Sequence, residues 1–337
     1  MTPIFMDVMD FIEAINLSKK LNGDDPAVLL GNGFSIAYDR QIFSYAALFR
    51  AVDWGEGDRI RRLFDQIGTW DFELVIRKMD AAADVIEIYQ DGGCLAADVR
   101  WDVDLLKNAL INAISRTHPD NIFSVDQSRM RRTVKFLRRF SPVFTLNYDL
   151  LLYWALVTYG FDSQRFSDGF HDVDGALQWS DFKNQKLLYM HGALHLFQNQ
   201  DRLEKVRYQK GGTVRTLLEQ IVKRIAEGHA PLFVCEGTNE RKRRHIDSSR
   251  YLSYCYHELQ SLSSNLFIHG CSLGAADRHI LDGIRASNVS HVFVSLHGDP
   301  DSEHNRAIID AIVEVCKMRT RVSLQAHFYD SGSAGLW

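Results

Sequence analysis

The chain is poor in the residues that punctuate or cross-link a fold. Six prolines in 337 residues leave no proline-rich linker along which to divide it. The five cysteines, Cys94, Cys235, Cys255, Cys271 and Cys316, are scattered, odd in number and without a CxxC pair. That spacing argues against a disulfide framework and against a zinc ribbon, whose ligands come in close pairs, and it suits free thiols in a reducing cytoplasm. Neither charge dominates: 39 Lys and Arg against 43 Asp and Glu give a net charge of -4. No global basic field points to nucleic acid. No stretch approaches the roughly 18 apolar residues of a membrane span. Met1-Thr2-Pro3-Ile4-Phe5-Met6-Asp7 lacks the basic start and apolar core of a signal peptide. Gly-x-x-x-x-Gly-Lys-Ser/Thr is missing, which disfavours P-loop chemistry.

Six short apolar runs stand out, each ending in a small or polar cluster. They are Ala27–Leu30 before Gly31-Asn32-Gly33-Phe34-Ser35, Val143-Phe144 before Thr145-Leu146-Asn147-Tyr148-Asp149, and Leu187–Met190 before His191-Gly192. The others are Leu232–Val234 before Cys235-Glu236-Gly237, Leu266–Ile268 before His269-Gly270-Cys271-Ser272, and Val292–Leu296 before His297-Gly298-Asp299. Each suits a strand buried on both faces of a parallel sheet. The polar clusters then gather at strand C-terminal ends, where open α/β sheets bind ligands.

Helical periodicity fills the intervals. A helix is expected within 7–21, and residues 45–140 read as almost wholly helical, with Asp91-Gly92-Gly93-Cys94 as a turn inside. Residues 193–230 read as polar, then helical, with further helices at 250–262, after Gly270 and at 308–316. Val322–Tyr329 reads as a closing strand. The expected architecture is a Rossmann-like, doubly wound, mainly parallel α/β sheet formed by 1–44 and 141–337, with an inserted helical module at 45–140.

The clusters carry the chemistry, each with a plainer alternative. Gly31-Asn32-Gly33 would let backbone approach a phosphate at a helix start, or it makes a tight strand-to-helix turn. Asn147 could hold a ribose hydroxyl or a water, and Asp149 could orient it; either residue also suits an Asx-type cap. His191 is a natural general base, but His269-Gly270 and His297-Gly298 repeat its pattern, and any of the three histidines could be structural. Two basic runs, Arg129–Arg139 and Arg241–Arg244, suit solvated surface; the second could also meet a phosphate.

Taken in order, five of these clusters resemble the sirtuin-like NAD-binding family. Its Gly-Ala-Gly-x-Ser, Thr-Gln-Asn-x-Asp, His-Gly, Pro-led strand ending near Gly-Glu, and Gly-Thr-Ser-Leu are matched by Gly31–Ser35, Thr145–Asp149, His191-Gly192, Pro231–Gly237 and Gly270–Leu273. The resemblance spans residues 27 to about 298 and selects His191 among the histidines. It implies that Gly31, Gly33 and Ser35 contact the pyrophosphate, that Gly270 and Ser272 contact phosphate or the adenosine ribose, and that Asn32, Phe34 and Asp277 also belong to the dinucleotide site. It further implies that Asn147 positions water by the nicotinamide ribose, with His191 as base and Asp149 behind them.

Residues 193–230 contain no cysteine, so the zinc ribbon of the deacylating members is missing. Asn32 also replaces alanine, and the family's Pro-Asp-Phe-Arg segment is missing after Ile36. The pattern is similar to the zinc-free bacterial branch that hydrolyses NAD+ in antiphage defence. Asp71-Phe72-Glu73, Phe328-Tyr329-Asp330 and Trp337 add to that likeness. The resemblance implies NAD+ as substrate, no metal, no membrane, and a cytoplasmic homo-oligomer or a defence partner that relieves low basal activity. Nucleic acid would enter only through such a partner. A deacylase or ADP-ribosyltransferase and a non-catalytic NAD+ or ADP-ribose sensor are the alternatives.

Overall fold

The structure, a computed structural model, describes residues 7–55, 59–89, 93–119, 124–160, 165–181, 185–199, 202–207, 216–320 and 322–337. The Asp91-Gly92 half of the expected turn and Met1–Met6 lie outside the described residues.

The chain opens with β1 (Val8–Met9), α1 (Phe11–Leu21) and β2 (Ala27–Leu30). Asp10 starts α1 with a capping box: its side chain accepts the Glu13 N–H while Glu13 caps Asp10 in return. A helical stretch follows: α2 (Gly33–Tyr38), α3 (Arg40–Phe43), α4 (Tyr45–Ala51), α5 (Arg59–Ile67), α6 (Phe72–Tyr89), α7 (Leu95–Thr117) and α8 (Gln127–Leu137). Then come β3 (Val143–Thr145), α9 (Leu151–Ala155), β4 (Phe170–Val173), β5 (Ala176–Trp179), β6 (Leu187–Tyr189), β7 (Gly192–Asn199), β8 (Arg202–Lys205), α10 (Leu217–Ala226) and β9 (Pro231–Phe233). The last part holds α11 (Asn239–Ser248), α12 (Arg250–Gln260), β10 (Leu266–His269), α13 (Arg278–Ala286), β11 (His291–Leu296), α14 (Glu303–Met318) and β12 (Gln325–Asp330).

Seven strands form one all-parallel sheet in the order β1-β12-β11-β10-β2-β3-β6. Its central strand, β10 (Leu266–His269), is buried throughout, as is its neighbour β2, as expected of parallel strands covered on both faces. The α/β class and the parallel sheet agree with the sequence reading.

The second sheet corrects part of that reading. The order β4-β5-β8-β7-β9 is antiparallel throughout. Pro231–Phe233 therefore pairs with β7 and is not a strand of the parallel sheet. Among the described residues of 193–230, strands β7 and β8 precede α10, where a polar and then helical segment was expected. Strand β7 is buried on both faces over its first six residues, so it shows no alternation to read.

Candidate active site

Strand register brings the sequence clusters to one edge. Thr145 pairs with Tyr189, so Asn147 and His191, each two residues on, leave β3 and β6 at the same level. Leu30 pairs with His269, so Gly31 and Gly270 leave β2 and β10 together. The chain passes from β2 to β3 on one side and returns as β10 on the other, which makes β2 the topological switch point.

The glycines there hold loop against loop. The Gly33 N–H donates to the Gly270 carbonyl at 2.8 Å. A Cβ on Gly33 would lie 2.7 Å from Gly270 Cα, and one on Gly31 would lie 2.6 Å from Cys271 Sγ. The N–H groups of Phe34 and Ser35 donate to the carbonyls of Gly31 and Asn32 at 2.9 and 3.0 Å. Phe34 is fully buried, edge-on to Trp337 at 4.9 Å. Asn32 and Ser272 are exposed. The residues expected on a pyrophosphate thus make their close approach within the protein itself. Gly192 is similar: at φ +74 its Cβ would lie 2.0 Å from the Leu232 carbonyl oxygen, so this glycine seats β9 beside the His191 turn.

Three predicted residues meet directly. Asn147 Nδ2 donates to Ser35 Oγ at 3.0 Å, and Ser35 Oγ donates to Asp149 Oδ2 at 2.5 Å. Asp149 Oδ1 accepts the Leu151 N–H at 2.9 Å, and Thr145 Oγ1 accepts the Asn147 N–H at 3.0 Å. All of these groups are buried. Burial raises the Asp149 carboxyl above the usual carboxylate range, against the Ser35 and Leu151 donors. His118, which the sequence reading passed over, accepts the Leu150 N–H at its Nε2, 3.0 Å away. Burial pushes its pKa down to about 4, so the ring stays neutral and able to accept.

His191 belongs to a different arrangement. Its Nε2 lies 2.9 Å from Nε2 of His279. Asn239 Oδ1 accepts the His279 backbone N–H at 2.5 Å and faces His279 Nδ1 at 3.1 Å. Burial first, then Lys242 and His279, hold the His191 pKa well below the ordinary histidine range. Lys242, 1% exposed at its side chain, donates to Glu73 Oε2 at 2.8 Å and to Asp277 Oδ1 at 2.9 Å. One ammonium thus serves two carboxylates. Burial opposes both negative charges; Lys242 and the histidines hold Asp277 below its usual range, while Glu73 is pushed up to about 7. Asp277, grouped by the sequence reading with the dinucleotide contacts, is held by Lys242.

The Arg241–Arg244 run is largely committed to the protein. Arg241 pairs with Asp80 and Asp84 on α6, both at 3.0 Å, Lys242 reaches Glu73 on the same helix, and Arg243 pairs with Asp247 at 2.7 Å. The run fastens α11 to the helical stretch. The two other His-Gly histidines stand apart: His269 faces the Tyr329 hydroxyl at 2.9 Å in the core, and His297 is exposed beside Ser331. A cavity of about 970 Å³ lies against β9, lined by Lys107, Trp179, Phe233, Glu236, His245 and Tyr251 among others. None of the candidate catalytic or dinucleotide residues is among its described lining.

Fold and site together define a Rossmann-like α/β protein with buried polar clusters gathered at the C-terminal edge of a parallel sheet. The family model for a domain of unknown function, DUF4917, matches residues 28–337, and the chain belongs to that family. No curated protein matches it.

Proposed function

We propose that the protein is an NAD+ hydrolase of sirtuin-like type, releasing nicotinamide and ADP-ribose. The observation that carries this reading is the shared exit of Asn147 and His191 from neighbouring parallel strands at the ligand-binding edge of the sheet. His191 is buried and neutral, able to take a proton from a ribose hydroxyl or a water. Asn147 orients that water, and Asp149 holds the amide through Ser35. Nicotinamide loss passes through an oxocarbenium-like state, which a positioned amide and base serve best where water is otherwise excluded.

The closed contact between Gly33 and Gly270 supports low basal turnover, raised when an oligomer or a partner spreads the loops. A role in phage defence rests on the sequence resemblance alone. The test is incubation of the purified protein with NAD+, following nicotinamide release beside Asn147→Ala and His191→Ala. Release that is lost in both variants supports the hydrolase. Release unchanged in both variants, or no binding of NAD+ by calorimetry, overturns it.

A further inference from the structure

Three side chains of ligand type converge at the His191 turn. His191 follows β6, Asp277 ends the short turn of helix at Ala275–Asp277, and His279 lies in the first turn of α13. One donor atom from each lies within 4.8 Å of the other two. Their sequence spacing gives no hint of this, since His191 and His279 are 88 residues apart.

The tautomer of His279 follows from its neighbours. A backbone N–H can only donate, so the group of Asn239 facing the His279 N–H is its carbonyl oxygen. The same oxygen faces His279 Nδ1, which makes Nδ1 the protonated nitrogen. In the neutral ring the lone pair is then on Nε2, aimed at His191. A ligating histidine usually donates its other ring N–H to a carbonyl or carboxylate, which is the arrangement present here. His191 offers its own Nε2 lone pair by moving its proton to Nδ1. Lys242 takes one oxygen of Asp277, and a carboxylate has two. Glu73 and Asp277 together carry more negative charge than Lys242 cancels.

We propose that His191, His279 and Asp277 form a site for a divalent transition-metal ion, with Asn239 orienting His279. Two nitrogens 2.9 Å apart, each about 2.1 Å from a metal, subtend about 90°. That angle suits the facial positions of a six-coordinate ion, so Mn2+, Fe2+, Co2+ or Ni2+ fits better than tetrahedral Zn2+. Three protein ligands leave positions open to water or substrate. The bound ion takes the His191 lone pair, so it also suppresses any reaction that uses His191 as a base. The site itself does not depend on the NAD+ reading.

The test is titration of untagged, chelator-treated protein with Co2+, read by visible absorption and calorimetry without NAD+. One ion per chain is expected. Asn239→Ala, which keeps all three ligands, should weaken binding about 10–100-fold. His279→Ala and Asp277→Asn, checked for folding by circular dichroism, should weaken it further. No stoichiometric binding to the wild type overturns the proposal, as does binding that is undiminished in Asn239→Ala and in whichever ligand variants fold.

Discussion

On the Asn147 side of the site, an amide, a hydroxyl and one carboxylate close on one another through hydrogen bonds. On the His191 side, one buried ammonium is shared by two carboxylates, and two neutral imidazoles face each other. The first bank joins the segment after β3 to Ser35 on α2, the helix that follows β2, and β2 and β3 are adjacent strands. The second draws on α6, α11, the turn at Asp277 and α13, so helix packing sets it. The segments after adjacent strands thus form a compact network with little charge, whereas the second bank is charged and depends on several elements docking together.

Turnover separates the two banks most. If His191 is the base, His191→Ala should reduce nicotinamide release about 10²–10⁴-fold. Ser35→Ala, which leaves His191 and Asn147 in place, should cost less; equal losses would mean that one bank does not act through its own chemistry. Stability comes next. Lys242→Met leaves Glu73 and Asp277 buried without their cation and should cost about 3–5 kcal/mol by denaturant unfolding. Adding Glu73→Gln should recover part of that loss.

The pH dependence sharpens the comparison from the Asn147 side. His118 has a folded-state pKa near 4 against an ordinary value of 6.5. Below 6.5 the unfolded chain takes up this proton and the folded chain does not, so stability falls as pH drops from 6.5 to about 4. The slope is about 1.4 kcal/mol per pH unit for this one residue. His118→Gln, which keeps an acceptor and removes the titration, should flatten that part of the profile in unfolding measured across pH. The smallest effect expected is that of Ser35→Ala on stability, about 1–3 kcal/mol, since it strips a buried partner from both Asn147 and Asp149.

The same division decides what the sequence revealed. Asn147, Asp149 and His191 could be read because each follows an apolar run that becomes a parallel strand, and adjacent parallel strands bring their ends together. Lys242 looked like one member of a solvated basic run, since its partners Glu73 and Asp277 lie 169 and 35 residues away. Strand β7 escaped notice because it is buried on both faces and carries the fully buried His195. The β4–β5 hairpin had a usable signal: Asp174-Gly175 sits between Val173 and Ala176, and both turn residues adopt positive φ, at 52 and 86.

The ion pair between Glu73 and Lys242 also bears on when the site can exist during folding. It joins chain positions so far apart that the sheet, the helical stretch and α11 must all be in place before it closes. Such non-local contacts come at the cost of closing long loops, and they form late. The Ser35–Asp149 contact spans 114 residues and Glu73–Lys242 spans 169, so both banks wait on distant segments, and a chain stalled partway through folding carries these polar residues without the arrangement that would make them reactive.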